Sequence, residues 1–214
     1  MRTNPFADTA AFLTGATEGH AAIGWGGPLF TTYSTLLVLG SIAIAAANWT
    51  QDPAQRSPRN FAIWLIRAGV GAMWLEGSLW KLPLPVSGGL SYWMGLMGDN
   101  AAFEFFGAIV KSVLIPALPV LNPLIFLVEI TLAATLMLGI AVRIGALLGI
   151  AMSLNLWIGL YHYQVEWPWI YIFILMLHVL FLADNAGRAL GLHALLLRLQ
   201  PAWFRARPWM ARLG

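Results

Sequence analysis

Long apolar stretches, separated by short polar or proline-rich turns, dominate this chain. A helix that crosses the hydrocarbon core of a bilayer needs about 20 apolar residues. Five stretches approach or reach that length, at 29–47, 61–82, 124–142, 144–161 and 169–183. The last is short, and it reaches the required length if Trp167 and Pro168 begin the helix. The pattern predicts an all-α membrane protein with five transmembrane helices.

Two further segments are amphipathic instead of uniformly apolar. In 101–115, charged and apolar positions separate at helical spacing, with Phe103, Phe106 and Val110 on one side and Glu104 and Lys111 on the other. Segment 188–199 is rich in leucine between Arg188 and Arg198. Helices of this kind lie in the interface of a membrane instead of spanning it. We therefore predict two interfacial helices.

The composition agrees with a membrane-embedded chain and its charges orient it. Only 10% of residues are charged, whereas soluble domains carry about 25%. Cytoplasmic loops are enriched in Lys and Arg, and most of the arginines fall in the loop with Arg56 and Arg59, at Arg143, and in the C-terminal tail. This distribution predicts an external N-terminus and a cytoplasmic C-terminus. The tail mixes its arginines with Leu, Trp and Pro, which is typical of a membrane surface and not of nucleic-acid binding.

Several kinds of chemistry are excluded by the sequence. The chain has no cysteine, so disulfides, thiol exchange and iron–sulfur clusters are excluded. It carries no zinc-protease, nucleophile-elbow, Walker or Rossmann signature. The four scattered histidines lack the pairing that a haem bundle requires. We expect neither a metal nor a haem, and a redox role would need an organic cofactor or a partner.

Polar residues within the spans are the candidate functional residues, because a charge near the bilayer centre needs a partner or a purpose. Helical spacing and antiparallel spans bring Glu76 and Glu129 to a similar depth in the outer half of the membrane. Asn155 and His162 form a stripe at the same level on the third of the last four spans. We predict an outer pocket of these residues, with Lys81 at its rim. The alternative is a hydrogen-bond network that only holds helices together.

Three other polar positions have competing interpretations. Tyr171 and His178 share a face of the last span, but a single buried histidine is more often satisfied by its neighbours than used as a ligand. Arg67 lies near a helix end, so its side chain can reach the headgroups. Asp184 and Arg188 are four residues apart, which predicts an ion pair at the inner end of the last span.

Three stretches of the chain resemble the DoxX/DoxD family of small bacterial and archaeal membrane proteins. The first, from Arg67 to Lys81, reads RAGVGAMWLEGSLWK. The second, from Glu129 to Arg143, reads EITLAATLMLGIAVR. The third contains Trp-Pro-Trp, His178 and then ADNAGRALGL. Each motif alone is weak, and it is their order and spacing over residues 61–197 that carry the resemblance.

The resemblance implies an architecture and a location. It implies a DoxX-like four-helix transmembrane bundle over 61–199, preceded by an N-terminal segment, 1–60, with one extra transmembrane helix. A basic tail, 200–214, follows. The expected location is the inner (cell) membrane of a prokaryote, crossed several times, where the protein contacts lipid and other membrane subunits.

The same resemblance implies a quinone link, since DoxD is a subunit of a thiosulfate:quinone oxidoreductase. Quinone reduction needs hydrogen-bond donors at the headgroup and groups that move protons. Glu76, Glu129 and His162 are the candidate catalytic residues. Lys81, Asn155, Tyr171 and His178 are the candidate cofactor-binding residues. Lys81 could also attract an anion such as thiosulfate.

Three functions remain open on the sequence. The first is a quinone-reactive oxidoreductase subunit, favoured by the resemblance and the outer polar cluster. The second is a non-catalytic accessory or assembly subunit of a larger membrane complex, favoured by the lack of a redox centre and by the extra helix. The third is a small transporter or proton conduit, although the chain lacks the paired broken helices that transporters often show.

Overall fold

The computed structural model describes residues 4–16 and 26–214, and every regular element in those ranges is helical. The α-helices are α1 Pro5–Thr14, α2 Gly26–Gln51, α3 Pro58–Ser78, α4 Gly88–Asn100, α5 Glu104–Ile109, α6 Leu118–Leu138, α7 Val142–Gly159, α8 Trp169–Asp184, α9 Leu192–Leu199 and α10 Ala202–Arg205. A 3-10 turn, Leu79–Lys81, extends α3, and a π-helical turn, Val110–Leu114, extends α5. The predicted all-helical class is confirmed.

Three of the described helices, α2, α6 and α7, are long and apolar enough to cross a membrane. The protein is therefore membrane-embedded. Helix α8 is as apolar but has 16 residues. Helix α3 has 21 residues, and Arg59, Arg67 and Glu76 lower its apolar character.

The helices pack in a sequential arrangement around one apolar core. Helix α3 packs on α6, α6 on α7, and α7 on α8, while α2 lies against α6, α3 and α9. The core between them holds fully buried side chains such as Leu75, Leu132, Leu136 and Phe181. Helix α4 and the α5 turn form a smaller apolar cluster beside α7, around Met94, Met97, Val110 and Leu160.

Helix α2 is attached to the other helices by side chains that donate to backbone carbonyls. The Ser41 hydroxyl donates to the Met137 carbonyl at 2.6 Å, and the Tyr33 hydroxyl donates to the Ile130 carbonyl at 3.3 Å. Asn48 donates to the Gly191 carbonyl at 3.0 Å. In an apolar environment these bonds hold α2 to α6 and to the segment before α9 along its whole length.

Helix boundaries differ from the predicted ones where proline and glycine were interpreted as breaks. Helix α6 begins at Leu118 instead of 124. Pro119 lies in its first turn, where a missing N–H leaves no carbonyl unpaired, and Pro123 lies inside the helix without ending it. Helix α4 was not predicted, since Pro83, Pro85 and two glycines suggested a loop. That loop ends at Ser87, whose side chain accepts from the Leu90 N–H at 3.0 Å and starts the helix.

Arg67 is fully buried and does not reach the headgroups. Its guanidinium donates to the Leu136 carbonyl and, at 3.3 Å, to the Ala189 carbonyl. The Leu136 carbonyl belongs to the last turn of α6, where carbonyls lack an N–H partner within the helix. One side chain of α3 therefore closes the end of α6 and holds the chain that follows α8.

The segment after α8 folds back onto the helix ends at which α3 begins and α8 stops. Asp184 pairs with Arg59 of α3, not with Arg188 as predicted. Arg188 instead donates to the Ala211 carbonyl at 3.1 Å. His193 is buried beside the same carbonyl, at 3.2 Å. Burial is the largest influence on the pKa of His193 and lowers it.

Replacement of Gly139 by alanine should destabilise the protein. Gly139 has φ +69°, and an added Cβ would lie 2.3 Å from Nη1 of Arg67. The left-handed backbone alone costs an L-residue about 1–2 kcal/mol, and the clash displaces the Arg67 contact as well. We expect Gly139→Ala to lower the midpoint of thermal unfolding, followed by circular dichroism in detergent.

Gly69→Ala is the matched control, because a Cβ at Gly69 of α3 meets nothing within 4 Å. It should leave the unfolding midpoint unchanged or raise it slightly. Equal losses in the two variants would contradict the assigned role of Gly139.

Candidate functional site

A cavity of about 550 Å³ lies between α3, α4, α6, α7 and α8. Its volume falls within the range of small-molecule sites, roughly 300–1,000 Å³. Most of its lining is apolar, and it includes four methionines and four tryptophans: Met73, Met94, Met97, Met152, Trp74, Trp80, Trp93 and Trp167. Its polar lining residues are Lys81, Glu129, Ser153, Asn155, Glu166 and Tyr171.

An ion pair between Lys81 and Glu129 forms part of the cavity wall. The Lys81 ammonium lies 2.8 Å from Oε1 of Glu129, and the two side chains are 12% and 4% exposed. The ammonium also donates to the Gly77 carbonyl at 2.8 Å. Removal of two charges from water is costly, so their attraction and the additional hydrogen bond are needed to keep them there.

A polar network next to the cavity fixes the position of this ion pair. Asn122 lies seven residues before Glu129, on the same face of α6, and its Nδ2 donates to the Lys81 carbonyl at 2.8 Å. Its Oδ1 accepts from the Ser87 hydroxyl at 3.2 Å. The start of α4, the end of α3 and the first half of α6 are thereby held together, which presents Lys81 to Glu129.

Two buried oxygen atoms of the cavity residues have no hydrogen-bond partner in the part of the chain that the structure describes. They are Oε2 of Glu129 and Oγ of Ser153. Buried polar atoms are almost always paired with protein, water or ligand. A molecule bound in the cavity could therefore supply the hydrogen bonds that these two atoms lack.

A second polar contact lies where α8 begins. The Tyr171 hydroxyl donates to the Glu166 carboxylate, and both residues line the cavity. Glu166 belongs to the loop before α8 and is half-buried. The cavity thus has an acidic group at the loop in addition to the one on α6.

The structure brings four of the seven predicted site residues together. Lys81, Glu129, Asn155 and Tyr171 all line the cavity. Glu76 is half-buried on α3 and is not among the described lining residues, although its neighbour Gly77 is.

The two candidate histidines lie away from the cavity lining. His178 is fully buried, its Nε2 accepts from Trp74 Nε1 at 3.1 Å, and its Nδ1 donates to the Ile174 carbonyl at 2.7 Å. Both ring nitrogens are therefore occupied, as the alternative interpretation of this residue expected. His162 is exposed in the loop after α7, with Nδ1 3.0 Å from the Ala101 carbonyl.

Three features of the site were not identified from the sequence. The first is Ser153, since a serine within a span carries no distinctive signal. The second is Glu166, which lies in a loop between two predicted spans. The third is the pairing of Lys81 with Glu129, although both residues were assigned to one predicted pocket.

The cavity suits a largely uncharged organic molecule. Among the described residues, no group of three or more His, Asp or Glu side chains could hold a metal ion. The apolar wall can contact a ring system and an alkyl tail, while Glu129, Ser153 and Lys81 contact a polar headgroup. Four methionines allow the wall to adapt, because the thioether side chain has three rotatable bonds.

The ion pair should show strong coupling in a double-mutant cycle. Lys81→Met leaves the Glu129 carboxylate buried without its cation, and loss of one partner of a buried pair costs about 3–5 kcal/mol. We expect Lys81→Met to lower the thermal midpoint strongly. The double variant Lys81→Met/Glu129→Leu should recover most of that loss.

The control pair is Lys111 and Asp99, whose charged atoms are 2.7 Å apart but whose side chains are 55% and 66% exposed. Lys111→Met should cost at most about 1 kcal/mol, as surface pairs do. Additive effects of the two substitutions at Lys81 and Glu129 would show that the two residues are not coupled.

Comparisons of the chain with family models, curated proteins and solved structures gave no match. The relation to the DoxX/DoxD family therefore stays a prediction from the motifs at Arg67–Lys81, Glu129–Arg143 and the last span. The cavity, and not a family relation, is therefore the basis of the function proposed below.

Proposed function

We propose that this protein is a multi-pass membrane subunit that binds a quinone-class molecule in the cavity between α3, α4, α6, α7 and α8. The observation that carries the proposal is an apolar cavity of about 550 Å³ whose wall contains a buried ion pair and two unpartnered oxygens. A quinone has the matching parts, namely an apolar ring and tail and a headgroup with two oxygens.

The charges of the cavity favour a neutral ligand. The formal charges of Lys81, Glu129 and Glu166 are +1, −1 and −1, which sum to −1. An anion would meet repulsion there, and Lys81 is already engaged by Glu129. If thiosulfate is the electron donor, as the resemblance implies, it binds outside this cavity, on a partner subunit or at another surface.

The polar lining residues would position the headgroup and move protons. A bound quinone supplies two-electron, two-proton chemistry. Ser153 can donate a hydrogen bond to a headgroup oxygen, and Glu129 can accept a proton from it or return one. The chain has no cysteine to hold an iron–sulfur cluster, so we assign the electron source to a partner subunit. The proposal is thus a DoxX/DoxD-like subunit of a quinone-linked oxidoreductase.

We further propose that α3 and α8 cross the membrane together with α2, α6 and α7. Helix α3 has 21 residues, sufficient for a span, and its Arg67 is buried within the protein. With an external N-terminus, the loop at Arg56 and the C-terminal tail lie on the cytoplasmic side, in agreement with the positive-inside rule. The cavity then opens in the outer half of the membrane of a prokaryotic cell.

Quinone binding can be tested on the purified protein in detergent by isothermal titration calorimetry with decylubiquinone. Gly77 lines the cavity and an added Cβ there meets nothing within 4 Å. We expect Gly77→Leu to fill part of the cavity and abolish the binding seen with the unchanged protein. Ser153→Ala should weaken binding about two- to tenfold, the usual value of one hydrogen bond.

Gly69→Leu is the control, because Gly69 lies on the same helix with equally open surroundings but does not line the cavity. It should bind like the unchanged protein. If decylubiquinone does not bind, and no quinone accompanies the protein in its lipid extract, the proposal fails. A non-catalytic accessory subunit would then be the better account.

The orientation can be tested with single cysteines, since the chain contains none. Gln164 and Ala54 are both exposed and lie in loops at opposite ends of the helices. In intact cells, a membrane-impermeant maleimide should label Gln164→Cys and should label Ala54→Cys only after lysis. The reverse pattern would invert the topology.

A further inference from the structure

We propose that the cavity binds the reduced, hydroxyl-bearing headgroup of a quinone more tightly than the oxidised, carbonyl-bearing headgroup. This inference rests on the quinone-binding function proposed above and adds which form of the ligand the site prefers. It follows from the hydrogen-bonding capacity of one carboxylate oxygen.

Glu129 presents an acceptor that needs a donor. Its Oε1 lies 2.8 Å from the Lys81 ammonium, so the carboxylate of this ion pair accepts from Lys81. An ionised carboxylate only accepts hydrogen bonds. Its Oε2 is buried and receives no hydrogen bond from the residues that the structure describes. A ligand that completes this site must therefore bring an O–H or N–H group.

The two redox forms of a quinone differ in this respect. The oxidised headgroup carries carbonyl oxygens, which accept hydrogen bonds and cannot donate one. If it lay against Oε2, two acceptors would face each other, and the carboxylate would remain unpaired. The reduced headgroup carries hydroxyl groups, each of which can donate to Oε2. A hydrogen bond from a hydroxyl to a carboxylate is charge-assisted and is about twice as strong as one between neutral groups.

The other polar groups at this end of the cavity do not discriminate between the two forms. The Ser153 hydroxyl can donate to a carbonyl oxygen or exchange hydrogen bonds with a hydroxyl group. The Lys81 ammonium donates to Glu129 and to Gly77, and its third N–H can donate equally to either kind of oxygen. Among these three groups, Glu129 is thus the one that sets the preference.

The ligand can gain access to Oε2 because the surrounding wall is deformable. Oε2 is covered in this structure. Met73, Met94, Met97 and Met152 line the same cavity, and methionine side chains change rotamer at low cost. Rotation of such side chains would open a path for an entering headgroup.

The preference has a consequence for redox chemistry at the site. A site that binds the reduced form more tightly makes the bound oxidised form a better electron acceptor. A tenfold preference corresponds to a rise of about 30 mV in the midpoint potential of a two-electron couple. The geometry thus favours electron flow toward a quinone held in this cavity.

The test compares decylubiquinol with decylubiquinone, each titrated anaerobically into the purified protein in detergent. We expect the quinol to bind about tenfold more tightly, the value of one hydrogen bond to a charged group. In Glu129→Gln the side-chain amide can both donate and accept, so the ratio should fall to about one. Glu104→Gln, on exposed α5 and outside this cavity, should keep the ratio of the unchanged protein.

A second pair of probes on the unchanged protein needs no variant, in case Glu129→Gln does not fold. 4-Heptylphenol can donate to Oε2, whereas 4-heptylanisole, its methyl ether, cannot. The phenol should bind about tenfold more tightly for the same reason.

The possible outcomes separate the two proposals. Binding of quinol and quinone with equal affinity, or tighter binding of quinone, overturns the preference and leaves the quinone-binding function in place. A preference that survives unchanged in a folded Glu129→Gln variant, or equal binding of phenol and anisole, overturns the role of Glu129. If neither redox form binds, the proposed function fails and the preference fails with it.

Discussion

The arrangement of the helices depends on one buried cation, Arg67, and on the carbonyls that it satisfies. A guanidinium out of contact with water is tolerated only if it finds acceptors, and a helix end in an apolar environment is tolerated only if its carbonyls find donors. Arg67 meets both requirements at once, since it donates to Leu136 at the end of α6 and to Ala189 after α8. Gly139 is needed beside it because no other residue leaves room for the guanidinium and adopts the required backbone. The region where α6 ends is organised by this contact.

The region around the cavity follows the same principle with a pair of charges instead of one. Lys81 and Glu129 neutralise each other, and Asn122 and Ser87 fix the backbone that carries Lys81. These polar groups lie in or next to the wall of the cavity. The space between the helices therefore stays open and mostly apolar. The cavity is a consequence of how the helix ends meet: the 3-10 turn at Leu79–Lys81 directs the chain away from the bundle, and α4 returns beside α7.

Much of the fold could be predicted because apolar runs determine where helices form. The positions of α2, α3, α7 and α8 follow from those runs, whereas the starts of α4 and α6 do not. Proline is the reason, since Pro119 is compatible with the first turn of α6 and Pro123 lies within the helix without ending it. The site was predicted in part. Depth and helical spacing bring four of the predicted residues to one cavity: Lys81, Glu129, Asn155 and Tyr171. Spacing alone does not show which residues His178 and Asp184 contact. Those partners, Trp74 and Arg59, lie on a different helix.

The attachment of α2 affects how sequences of this architecture can change. Ser41 and Tyr33 donate to the carbonyls of Met137 and Ile130, so each bond uses a side chain on α2 and only the backbone on α6. Substitutions of Met137 or Ile130 leave the acceptors in place, whereas substitutions of Ser41 or Tyr33 remove the donors. The interface between α2 and α6 therefore tolerates substitutions on α6 better than substitutions of Ser41 or Tyr33 on α2. The side chains of α6 that face α2 can therefore change during evolution as long as they still pack. Covariation between positions on the two helices, taken from related sequences, would then underestimate the strength of their contact.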